Sequence, residues 1–285
     1  MPMEKKHAFT LIELLVVIAI IALLLSVVVP SLKKVKDTAA MKLCGSNARQ
    51  IMLTSAIYSN DNKEQVPRST TRYNQEGDGL GNKSSWVCLP VINPNVSPTT
   101  MGDFVPAVAP IKATLDQRLA GIRHGTLYPY LGDTKVYNCP RDTRTQKTEG
   151  GYRSYSFNET VFHGVSGYES DKWGPSAQKT DEVKNPGGRM AVIEQGDTRG
   201  YNWGGLVFSS LGVNNWEEPL AYWHQGGFMY GCFDGHVEHY VIKEQSTKIY
   251  SDIFANDPTA SIYYANHPSL PAYPASRNKD FYEIT

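Results

Sequence analysis

His224, Asp234, His236, Glu238 and His239 fall within sixteen residues, in "HQGGFMYGCFDGHVEH". Imidazoles and carboxylates are metal ligands, and they also pair with each other through plain hydrogen bonds. On a strand, His236 and Glu238 share one face while His239 points to the other, so the five cannot all converge on one ion. His224, Asp234 and His236 remain the candidates for a metal site. A structural use, in which His224 and Asp234 tie a loop to a turn, is the competing reading. Four further candidates for chemistry are Cys44, Cys88, Cys139 and Cys232. They are widely spaced and form no C-x-x-C pair, which excludes an obvious zinc ribbon or thioredoxin-like motif. Outside the cytoplasm two disulfides would be permitted, with three possible connectivities; buried free thiols are the alternative.

A different kind of chemistry sits near the N-terminus. From Phe9 to Val29, in "FTLIELLVVIAIIALLLSVVV", Glu13 is the only ionisable residue. A charge well inside a membrane helix costs roughly 2.5–3.5 kcal/mol. Glu13 therefore either lies near the membrane surface or has a positive partner. Enzyme signatures are missing: there is no G-x-S-x-G and no H-E-x-x-H, and "GDGLGNK" lacks the strand–helix frame of a phosphate loop.

These residues need elements to hold them. The apolar run is long enough to cross a hydrocarbon core of about 30 Å as a helix. It ends at "SVVVPSLKK" without a small-x-small cleavage pattern, unlike a secretory signal. Lys5 and Lys6 favour a cytoplasmic N-terminus, but Lys33, Lys34 and Lys36 follow on the other side, so charge counting alone leaves orientation open. Beyond Pro30, where a kink rather than an end is expected, Leu32, Val35, Ala39, Leu43, Ile51, Ser55 and Tyr58 lie near one helical face. The helix is expected to stop at "NDN", residues 60–62.

The rest is rich in loops and leans to β structure. "ATLDQRLAGI" suggests a short helix, and "GTLYPYLGDTKVYNCPRD" a helical turn followed by a strand end. "RSYSFN" and "RMAVIEQ" suggest strands, the second introduced by "NPGG". Residues 224–243 form the clearest hairpin, with Asp234-Gly235 between two alternating runs. "NQEGDGLGNK" and the C-terminal tail read as turn and surface loop. The chain has 285 residues, 28 acidic and 28 basic groups, and 17 Tyr, 9 Phe and 5 Trp. Neutral net charge gives no reason to expect a nucleic-acid partner. The aromatics could serve a binding surface, but packing is their commoner use.

"HAFTLIELLVVIAIIALLLSVVVP" closely resembles the N-terminal signature of type IV pilins and type II secretion pseudopilins. The resemblance implies cleavage between Ala8 and Phe9 by a prepilin peptidase and N-methylation of Phe9. Ala8 stands where the family usually has Gly. It also implies that Glu13 pairs with the new amine of a neighbouring subunit during filament assembly. Such a cation stays charged at neutral pH, so the pair compensates two charges in an apolar bundle. His224, nine intervening residues and Asp234-Gly235 match the H-x9-DG element of a group of prepilin-processed proteins.

The expected fold is α+β and pilin-like. A removed leader (1–8) precedes a transmembrane helix (9–30), its amphipathic continuation (31–60) and a loop-rich β body (61–285), with the helix packed on an antiparallel sheet. The expected role is a structural subunit of a pseudopilus or pilus-like filament, not an enzyme. Its partners would be the peptidase, other pilin-like subunits and an inner-membrane assembly platform with its ATPase. Its place would be the inner membrane, single-pass, with a cytoplasmic N-terminus and the body in the periplasm or in a surface filament. No cofactor is implied, although some pseudopilins hold calcium in a loop that maps onto no residues here. The rival role is a membrane-anchored envelope protein that binds a glycan or protein, and a third is a hydrolase built on the His224–Asp234 region.

Overall fold

In a computed structural model, the described residues are 10–69, 85–98, 103–104, 113–142, 144, 152–159, 161–162, 177–196, 205–206 and 220–243. A single helix, α1 (Leu11–Asp61), carries the apolar run and continues through Pro30, whose missing N–H leaves the Ser26 carbonyl without its helical donor. Its 51 residues span about 75 Å, and its first part is apolar enough to cross a membrane. Asn62 caps the end by donating its N–H to the Ser59 and Tyr58 carbonyls, at the expected stop.

Beyond the apolar run, α1 first touches the described part of the body at Asp37, paired with Arg141 at 3.1 Å, and at Thr38, 3.3 Å from Gln225 Nε2. Full burial begins at Cys44 and recurs at Gly45, Asn47, Ala48, Ile51, Met52, Thr54, Ser55, Tyr58 and Ser59. Three and four-residue steps put these on one side of the helix. Of the expected face, Ile51, Ser55 and Tyr58 are buried, but Leu32, Val35, Ala39 and Leu43 are exposed. Leu32 and Val35 precede the contacts with the body at Asp37 and Thr38, and Ala39 and Leu43 turn away from it, while the buried side combines small and polar residues with Ile51, Met52 and Tyr58. The small residues let α1 lie close on the sheet. At Gly231 a Cβ would sit 2.9 Å from Val192 Cγ1 and 3.1 Å from Met52 Cγ.

The sheet is four-stranded and antiparallel in the order β1 (Tyr155–Phe157), β2 (Met190–Glu194), β3 (Gly227–Cys232), β4 (Val237–Val241). Alternation along the strands fills both faces. Val192 and Met229 join α1, Trp86, Tyr137, Tyr155, Phe157 and Phe162 in one core. Ile193, Phe228, Tyr230 and Cys232 join Leu206, Leu220 and Ile242 in a second, on the opposite face. Phe157 and Phe162 stack at 4.2 Å, and Trp86 lies 4.5 Å from Phe157, so these aromatics serve packing. Two expected strands, "RSYSFN" and "RMAVIEQ", are β1 and β2.

Among the described residues the body also holds two short helices, α2 (Leu115–Arg123) and α3 (Tyr128–Leu131); Thr114 and Gln117 close a capping box on α2. The expected strand end in "DTKVYNCP" is instead a 3₁₀ turn at Thr134–Tyr137, because Asp133 accepts the Lys135 N–H and folds the backbone back on itself. "NQEGDGLGNK" and the C-terminal tail lie outside the described residues.

Candidate functional site

Thr10 begins the N-terminal site by capping α1. Its Oγ1 accepts the Glu13 N–H at 3.3 Å, and Glu13 Oε2 accepts the Thr10 N–H at 2.8 Å. This reciprocal capping box satisfies donors that have no helical partner at the first turn. The cap was legible as T-x-x-E, although the charge of Glu13 draws the eye before its spacing does. It gives the acid a use within one chain; Ala8 and Phe9 lie outside the described residues.

His224 and Asp234 do not form a common site. They stand at opposite ends of β3, separated by a strand that rises roughly 3.3 Å per residue. At the first end, His224 and Gly227 exchange both backbone hydrogen bonds across Gln225 and Gly226, whose φ values are 47° and 86°. Two successive left-handed residues make a tight turn matched to strand twist. At the other end, Gly235 has φ 91°, and Asp234 Oδ1 accepts the His236 N–H at 3.1 Å. The H-x9-DG spacing is therefore the length of one strand plus the turns that enter and leave it.

His236 stays with Asp234, its Nδ1 2.6 Å from Oδ1, on the exposed turn. It shares a face with Glu238, 3.7 Å away, while His239 reaches the opposite way to the His224 carbonyl at 2.8 Å. The metal trio of His224, Asp234 and His236 is thus corrected: β3 holds its first member apart from the other two.

His224 instead enters a buried cluster with Cys44, Cys139 and Glu194, whose ligand atoms all lie within 4.8 Å of one another. Each comes from a different part of the fold. Cys44 opens the buried face of α1, Cys139 follows the 3₁₀ turn, Glu194 ends β2 and His224 precedes the turn into β3. The Cys44 and Cys139 sulfurs are 2.6 Å apart. His224 Nε2 lies 3.2 Å from Cys139 Sγ and 3.1 Å from Glu194 Oε1. Glu194 was the residue missed: it reads as the polar end of a strand, and only its full burial marks it. Cys88 and Cys232 lie elsewhere, Cys88 donating to the His124 carbonyl at 3.4 Å.

Supporting contacts fix the four side chains. Glu194 Oε2 accepts the Met229 N–H at 2.8 Å, and Tyr155 donates its hydroxyl to the Cys44 carbonyl at 3.1 Å. The Cys139 N–H goes to Ser154 Oγ at 2.9 Å, and Ser154 donates to Asp142 Oδ2 at 2.7 Å. Asp142 is in turn held by Arg144 at 2.6 Å, and that guanidinium lies 5.1 Å from the ring centre of Trp223, next to His224. Burial, followed by the neighbouring Cys44, pushes the Cys139 thiol far up. Burial alone would lower His224, but its contacts with Cys139 and Glu194 outweigh this and raise it to about 9.

No curated protein and no solved structure matches the chain. Residues 3–29 match a family model described as a prokaryotic N-terminal methylation motif. A signal of this type implies processing by a prepilin peptidase and assembly with pilin-like subunits in general. The chain thus opens with a prepilin-type signal, of the kind found in type IV pilins and pseudopilins, on a helix long enough to anchor it in a membrane.

Proposed function

We propose that the protein is a pilin-like structural subunit of a type II secretion pseudopilus or a type IV pilus-like filament. The peptidase cuts between Ala8 and Phe9, Phe9 is methylated, and its amine pairs with Glu13 of a neighbouring copy. Until assembly, the body is held in the periplasm by α1 in the inner membrane with the N-terminus cytoplasmic, and an assembly platform with its ATPase drives polymerisation. The H-x9-DG element ties the body to the prepilin-processed group that shares it.

One observation carries this reading. α1 presents Leu32, Val35, Ala39, Leu43, Leu53 and Ile57 to solvent, opposite its buried face. Exposed surface of this kind, continuous with a membrane-spanning helix, suits lateral packing of like helices. The rival role of envelope binder would call on exposed aromatics; among the described residues Trp86, Tyr137, Tyr155, Phe157, Phe162 and Phe228 are fully buried, and Tyr130 is exposed.

Intact-mass and N-terminal peptide analysis of the protein from native membranes tests the reading. A chain that starts at N-methyl-Phe9 and sediments as filaments supports it. A start at Met1 or Pro2 reduces the signal to a plain anchor and overturns it.

A further inference from the structure

We propose that Cys44, Cys139, Glu194 and His224 form a zinc site that pins α1 to the body. The donor set is the first argument. Two sulfurs, one imidazole and one carboxylate fit a borderline-soft ion that takes four ligands in a tetrahedron, and they do not fit calcium, which takes six to eight oxygens. Geometry is the second. Zinc bonds of about 2.3 Å to sulfur and about 2.0–2.2 Å to nitrogen and oxygen require ligand atoms that converge within a few ångströms. These four already lie within 4.8 Å of one another, on four separate segments of chain, and the two sulfurs, 2.6 Å apart, would open to about 3.8 Å to take two corners of the tetrahedron.

The hydrogen bonding around His224 is the third argument. Nε2 faces the Cys139 sulfur and a Glu194 oxygen, both at contact distance, yet one ring proton cannot serve both. A cation shared by all three removes that conflict. Two of the ligands are also oriented from behind, Glu194 by the Met229 N–H and the Cys139 backbone by Ser154, whereas His224 Nδ1 is buried without a hydrogen-bond partner among the described residues.

The charges close as they do in known structural sites. Zinc displaces the thiol protons of Cys44 and Cys139, which leave to solvent, and takes a lone pair from neutral His224 and from the Glu194 carboxylate. Two thiolates, one carboxylate and a doubly charged ion leave a single net negative charge, the same as in a Cys3His site. All four side chains are buried, so the ion enters as the body folds rather than by diffusion into a finished pocket.

The test uses the full chain purified in detergent without chelators or oxidants, with bound metal measured by mass spectrometry. About one zinc per chain is expected, falling to near zero in Cys139→Ser and in Glu194→Gln and unchanged in Cys88→Ser. Because the variants could misfold, the native chain is also refolded with cobalt(II). An intense sulfur-to-cobalt absorption band is expected, bleached when zinc is added. Metal-free protein with a Cys44–Cys139 disulfide peptide, or refolded chain with no such band, overturns the proposal.

Discussion

Replacing Leu53 and Ile57 together by alanine should weaken filament assembly and leave folding intact. The two side chains are 49% and 52% exposed, four residues apart on the outer face of α1. Full burial of such a side chain is worth about 1.5–3 kcal/mol, so roughly half of that, about 1 kcal/mol each, remains to be gained when a neighbouring helix covers it. The double variant should therefore lose about 2 kcal/mol per lateral contact, near thirtyfold in the constant for each contact. Folding should change by less than about 0.5 kcal/mol, because exposed sites contribute little and alanine is the best helix former. Ile51→Ala supplies the contrast. Ile51 sits on the same helix with no exposure, and its truncation should cost about 2–5 kcal/mol of folding stability. Sedimentation of sheared filaments reports assembly, and chemical denaturation of detergent-solubilised chain reports folding. Wild-type filament yield from the double variant would refute the lateral-packing argument. So would a melting loss as large as that of Ile51→Ala.

Four further outcomes are expected. Glu13→Ala should be inserted and cleaved to Phe9 but recovered in membranes rather than filaments, as read by N-terminal mass and fractionation; normal filaments from that variant would remove the role of the acid. Burial holds the Cys88 thiol at about 12 and, with nearby Asp234 and Glu238, the Cys232 thiol at about 11, so both should resist alkylation at pH 8 until the chain is denatured. The His236 N–H holds the Asp234 carboxyl below its usual value, so its charged form stabilises the fold above the unfolded aspartate pKa of about 4, and that contribution disappears as pH falls through the lower folded value. Melting of wild type and Asp234→Asn should accordingly differ at neutral pH and converge in acid. Gly231→Ala should cost roughly 1–3 kcal/mol in denaturant midpoints, since its Cβ would push Val192 and Met52 apart where α1 meets the sheet.

The parts legible in the sequence were those set by neighbours along the chain. The apolar run dictated α1, "NDN" its end, and Asp234-Gly235 the β3–β4 hairpin, because each signal lies within a few residues of what it shapes. Period alone misplaced the membrane-proximal part of the buried face. Asn47, Thr54, Ser55 and Ser59 are inside, while Leu53 and Ile57 are out, so hydrophobicity points to a face meant for something other than this chain's own core. The cluster was illegible for another reason. Residues 44, 139, 194 and 224 meet only through the packing of α1 on the sheet, and no local spacing carries that information. His224, Cys44 and Cys139 stood out individually; their company did not.

Both faces of α1 follow from one constraint. In the proposed filament, α1 leaves the membrane and joins its neighbours, so it keeps Leu53 and Ile57 outward while Ile51 and Met52 pack on the body, and polar contacts supplement them. Small residues allow the close approach over Gly231, and Asn47 donates its amide to the Asn138 carbonyl at 3.2 Å. The polar contacts multiply toward the membrane-proximal end: Asp37 with Arg141, Thr38 with Gln225, and then Cys44 among Cys139, Glu194 and His224. Peeling of the helix from the body would start at that end, where Asp37, Thr38, Ala40 and Met41 are only half-buried and any pull on the membrane segment arrives first. The proposed zinc link at Cys44 would resist it at the first fully buried position, without covering any of the outer stripe on which the proposed assembly relies.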